Sequence, residues 1–166
     1  MSRHVSINPR VSRPRQGPAL PPEQVRLLNT QEISWNIGVG LAISVSLLAR
    51  IAGSDRDRAF YPTVMIVIAS YYGLFAVMGG SMPALGMESL AIAAFLLVTI
   101  LGFKLNLWLV VGTLFAHGVF DVFHGCFVTN PGVPVWWPKF CLTYDITAAG
   151  YLAWLLLSSK ASAKAR

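Results

Sequence analysis

Five apolar runs, at about residues 33–49, 60–78, 85–103, 105–128 and 140–158, fill most of this 166-residue chain. A bilayer core takes ~20 helical residues to cross, and each run is close to that length. With no water at that depth to satisfy backbone groups, each run is expected as a helix. The bulk figures agree: 55% hydrophobic residues, 12% charged residues and a mean hydropathy of +0.59 are too apolar for a soluble domain of this size. The expected fold is therefore an all-α integral membrane bundle of about five transmembrane helices, forming one domain over 33–158.

Tails flank this domain at 1–32 and 159–166. The first carries Arg3, Arg10, Arg13, Arg15 and Arg26 among several prolines, which points to a disordered basic segment. It lacks the short apolar region of a secretory signal peptide, because the first apolar run begins only after Glu32. Its arginines and scarcity of acids would suit a transit peptide in a eukaryotic source. Between the runs lie Ser54-Asp-Arg-Asp-Arg58, then Gly79-Gly80, then Lys104 with its neighbours, so short that the third and fourth runs form an antiparallel hairpin. The last connection, 129–138, contains Pro131, Pro134 and Pro138 and is not helical throughout, and its Trp136-Trp137 pair suits the headgroup level.

The formal charge of +6 raises the question of nucleic acid, but the 13 basic residues sit in tails and connections with no stripe interleaved with aromatics. They read instead as topology signals and contacts of the lipid bilayer's anionic headgroups. If all five runs cross, Arg50, Arg56, Arg58, Lys104, Lys160, Lys164 and Arg166 share one side, against Arg26 and Lys139 on the other. This favours an N-out, C-in arrangement in a cell membrane, expected to be a bacterial inner membrane.

The acids are more informative. Of seven, Glu23, Glu32, Asp55 and Asp57 lie in tails or connections, while Glu88, Asp121 and Asp145 fall within or at the edge of apolar runs. No Lys or Arg lies deep in a run to neutralise them, and an ionised side chain at the bilayer centre costs about 2.5–3.5 kcal/mol on the lenient insertion scale. They must be protonated, paired with imidazolium or bound to a cation. The segment Phe115-Ala-His-Gly-Val-Phe-Asp-Val-Phe-His-Gly125 places His117, Asp121 and His124 at i, i+4 and i+7, on one helix face. Counting from the second and fourth connections puts Glu88 and His124 about one turn deep, and Asp121 and Asp145 about two turns deep. The four share one half of the membrane, with His117 deeper, as in a polar pocket open to one surface.

Imidazole and carboxylate suit zinc or non-haem iron, and side chains at i and i+3 or i+4 can chelate one ion from a single helix. The candidate metal ligands are His117, Asp121, His124, Asp145 and Glu88, and the first four are also the candidate catalytic or acid/base groups. Glu88 has a plainer alternative as an interfacial residue that reaches water. An open position on a bound metal would activate water for hydrolysis of a lipid-like small molecule. The spacing is not the metalloprotease box of two His at i and i+4 with an adjacent Glu. His117 and His124 share a face and cannot sandwich a single haem. Two other uses fit the same residues: a proton or cation path, which in so small a bundle implies a homo-oligomer, or interhelical hydrogen bonding alone. Gly118, Gly125, Ala148, Ala149 and Gly150 would let the fourth and fifth helices approach. Cys126 and Cys141 bracket the last connection, as a disulfide in an oxidising compartment or as two thiols.

Over about the last fifty residues, the run His117-x3-Asp121-x2-His124, then Asn130-Pro131, Pro138, Cys141 and Asp145, resembles the end of a family of small bacterial multi-pass membrane proteins of unknown function. That family carries a His-x3-Asp-x2-His-His pattern, and Gly125 stands here in place of its second His. The resemblance implies a multi-pass bundle and adds weight to His117, Asp121, His124 and Asp145. It implies no particular reaction.

Overall fold

The computed structural model describes residues 21–164, and they are helical apart from short connections. Helix α1 spans Pro22–Ala52, α2 Phe60–Met78, α3 Met82–Lys104, α4 Leu107–Phe127 and α5 Trp137–Lys164, with a 3-10 turn at Ser54–Arg56. Each of the five contains a stretch long and apolar enough to cross a membrane, beginning in α1 at Glu32. The chain is an all-helical, multi-pass membrane protein.

Two boundaries differ from the sequence expectation. Helix α1 starts at Pro22, so the tail expected over 1–32 is helical in its final third, while residues 1–20 lie outside the described part. Proline suits the first helical position, and Glu23 complements the helix dipole there. Helix α5 runs on through Lys164 because the serines, alanines and lysines after the apolar run contain no Gly or Pro to stop it.

The connections are built from local chemistry. Gly53, at φ 75°, ends α1 in the left-handed conformation open to glycine, and its N–H donates to the Ala49 and Arg50 carbonyls. Gly80, at φ 64°, makes the turn after α2, and the Ser81 hydroxyl then caps α3 by accepting from the Ala84 N–H at 3.3 Å. Asn106 caps α4, accepting from the Trp108 N–H at 3.0 Å. Only Leu105 and Asn106 separate α3 from α4, so these two form the expected hairpin.

Around the bundle the order is α1, α5, α4, α3, α2, with α2 also touching α4. Among the described residues of α1 the buried ones are Ser34, Gly38, Ala42, Ser46 and Ala49, small side chains at nearly every fourth position. This stripe lets α1 lie close against α5: a Cβ at Gly38 would collide with the Thr143 hydroxyl and the Phe140 carbonyl. Polarity runs inside out. Leu90 is 68% exposed and Ile51 76%, whereas Glu88 and Asp145 are 0% exposed. A soluble domain does the reverse.

Candidate functional site

The buried polar residues are brought together by four helices and the α4–α5 connection. On α4, the four-residue step from His117 to Asp121 keeps both on the inward face. His117 Nδ1 lies 3.5 Å from Asp121 Oδ2 and 2.7 Å from Asp145 Oδ2, which arrives from α5. Gly118 permits that approach, since a Cβ there would sit 3.3 Å from the Cβ of Asp145 and 3.3 Å from the Leu142 carbonyl oxygen. From α2, the Tyr72 hydroxyl donates to Asp121 Oδ1 at 2.6 Å. The Phe95 ring closes the far side, edge-on to His117 with centroids 4.9 Å apart.

One turn nearer the connection lies a second group. His124 Nε2 is 2.7 Å from Glu88 Oε1, to which the Asn130 side chain also donates at 2.8 Å. Asn130 donates further to the Tyr72 carbonyl at 3.0 Å, and its own Oδ1 accepts from the Gly132 N–H at 3.2 Å. Gly132 in turn rests against the end of α2, where a Cβ would fall on the Phe75 carbonyl. Tyr72 joins the two groups, because its ring stacks on His124 with centroids 4.1 Å apart.

All five residues singled out in the sequence are therefore buried in one region, but they do not form one site. His117, Asp121 and Asp145 offer one ligand atom each within 4.8 Å of one another. Glu88 and His124 form a separate pair, outside the group whose ligand atoms lie that close together. The interfacial alternative for Glu88 is also overturned, since its side chain is wholly buried and hydrogen bonded. Nor is the pocket open to a surface. The connection held by Asn130 and Gly132 covers that end, and cavities of about 650 and 620 Å³ elsewhere in the bundle are lined by none of the five. The cysteines are both free, Cys126 exposed and Cys141 buried, so no disulfide crosses the helix ends.

Two further residues belong to this region. Asn130 enters the sequence reading only through the family resemblance, whereas Asn36, Tyr71 and Tyr72 are polar or aromatic residues of the apolar runs that the sequence offers as cavity lining, and of these Tyr72 is the one at this site. Tyr72 lies seven residues before Gly79, about 10 Å at the helical rise, which is the depth of Asp121 and Asp145. That depth separates it from Asn36, which the sequence offers beside it.

The charges decide what the three-residue group requires. Glu88 and protonated His124 sum to zero. His117, even when protonated, faces two carboxylates, which leaves 1 − 2 = −1. Asp121 Oδ2 and Asp145 Oδ1 also lack a hydrogen-bond partner, as does Glu88 Oε2. Buried polar atoms are rarely left so, and the group calls for a proton or a cation. Comparison with known protein families, curated proteins and solved structures finds no match to the chain.

Proposed function

We infer that this is a membrane metalloprotein that holds one divalent transition-metal ion, zinc or non-haem iron, between His117, Asp121 and Asp145. The observation that carries this is the orphaned oxygens of that group, in which one imidazole faces two carboxylates. A divalent ion held by a neutral imidazole and two carboxylates brings the sum to zero, and it gives a partner to Asp121 Oδ2, which has no other. The spacing supports it as well. Ligands at about 2.0–2.1 Å from a tetrahedral zinc stand about 3.3–3.4 Å apart. The 3.5 Å between His117 and Asp121 is already there, and the 2.7 Å contact to Asp145 would need to open slightly. Tyr72 would act from behind, fixing Asp121 through Oδ1 and leaving Oδ2 to the ion. Three protein ligands leave a position for water, and the chemistry this supplies is hydrolysis. Enclosure among apolar helices favours a lipid-like substrate, admitted when the α4–α5 connection moves. The likeness of this segment to the small bacterial membrane family fits a bacterial inner membrane.

A second use is favoured by one observation. Tyr72 links Asp121 to His124 and to Asn130, so polar groups follow one another from Asp145 to the covering connection. Such a series can carry protons or a cation, and it would then serve a homo-oligomeric transporter. Elemental analysis of the detergent-purified chain separates the two. About one zinc or iron per chain, absent from His117→Ala/Asp121→Ala, supports the metalloprotein. Protein free of metal, prepared without chelators, rejects it in favour of proton or cation handling, which is then measured as flux in liposomes.

A further inference from the structure

At the opposite end of the bundle from the Asn130 connection, a cavity of about 620 Å³ lies between the start of α2, the start of α4 and the last turns of α5. Its rim is basic and its wall apolar. Arg50, Arg56 and Arg58 stand at the rim, and Leu152, Leu155 and Leu156 of α5 form much of the wall. Asp55 and Asp57 line it too, so the charge at the rim is 3 − 2 = +1.

The arrangement of these charges matters more than their sum. Arginines and aspartates alternate along 55–58, yet among the described residues no arginine forms an ion pair with a carboxylate. Asp57 Oδ1 is occupied by the Ala59 N–H at 2.9 Å. Arg58 is anchored through Nε, which donates to the Phe103 carbonyl at 2.6 Å, and its terminal nitrogens stay available. Arg50 is held 5.5 Å over the Trp154 ring. Arg56 is exposed. Guanidinium groups are forked donors matched to phosphate oxygens, and here they surround an opening with a leucine wall at helix ends.

We propose that this cavity binds one anionic phospholipid, its phosphate among Arg50, Arg56 and Arg58 and an acyl chain along Leu152, Leu155 and Leu156. The charge complementarity selects the headgroup, and the apolar wall selects a lipid over a soluble phosphate. The volume falls within the range of small-molecule sites, roughly 300–1,000 Å³. Basic pockets between helices on a membrane face recognise such headgroups.

The test is native mass spectrometry of the full chain released from detergent containing phosphatidylglycerol and phosphatidylcholine of identical chains. One phosphatidylglycerol per chain is expected to be retained in preference to phosphatidylcholine. Removing one arginine weakens the preference about fivefold. Arg56→Gln is the first variant, since an exposed side chain can be changed without disturbing the fold, and Arg50→Gln/Arg56→Gln is expected to abolish the preference. Equal retention of the two lipids, or a preference unchanged in the double variant with an unchanged unfolding temperature, overturns the proposal. Glycerol phosphate in solution is the third arm. If it displaces the lipid at equal concentration, the leucine wall contributes nothing and a lipid site is ruled out; failure to displace it supports the lipid.

Discussion

Glu88 lies with its side chain fully buried, and its Oε1 is 2.7 Å from His124 Nε2. Removing one partner of a buried pair strands the other, which costs about 3–5 kcal/mol. His124→Ala is therefore expected to lower the unfolding temperature in detergent sharply, and Glu88→Ala/His124→Ala to recover part of the loss. A double variant no more stable than His124→Ala would deny the pairing. Counting residues from the connections places Glu88, Asp121, His124 and Asp145 at nearby depths, because helical rise converts position into depth. It does not divide them into two groups. That depends on how each helix is rotated about its axis, and rotation is set by packing that no single run encodes. Asn130 is harder still, since the two groups its side-chain nitrogen donates to, Glu88 and the Tyr72 carbonyl, are more than forty residues away.

The helices owe their association to where small residues face. Gly38 lies directly against α5, so Gly38→Val is expected to cost about 1–3 kcal/mol, as overpacking of a close contact does. A Cβ added at Gly125 or at Gly150 would meet nothing within 4 Å, and Gly125→Ala and Gly150→Ala are expected to stay within about 0.5 kcal/mol of the parent chain in the same unfolding measurement. The sequence expectation sets Gly125 and Gly150 beside Gly118, Ala148 and Ala149 in the α4–α5 contact. Of these, Gly118, Ala148 and Ala149 are buried, whereas Gly125 and Gly150 are exposed. Small size alone does not tell which face a glycine occupies. The stripe from Ser34 to Ala49 is hidden for the same reason, since within an apolar run its serines and alanines resemble filler. The C-terminal end of α2 is legible because Gly79 and Gly80 act through local backbone chemistry, and the α3–α4 hairpin because the connection at Lys104 is so short.

At the scale of the whole molecule, the five crossings are readable because a bilayer imposes a length and an exclusion of charge on each. With an odd number of crossings the two ends of the chain fall on opposite sides. The orientation expected from the basic residues near the helix ends, N-out and C-in, is a proposal that a fusion tests. A green fluorescent protein fused to the C-terminus, which fluoresces only in the cytoplasm, is expected to be bright, and a dark fusion with normal membrane insertion would reverse the orientation. The bundle turns apolar side chains outward and encloses His117, Asp121 and Asp145 with orphaned carboxylate oxygens, for which a bound divalent cation is the proposed remedy. The most direct test compares metal content in two single variants purified side by side, Asp145→Asn from the three-residue group and Glu88→Gln from the neighbouring pair. About one zinc or iron per chain is expected in the parent and in Glu88→Gln, and little in Asp145→Asn. Equal metal in both variants, or a parent chain without metal, would contradict it.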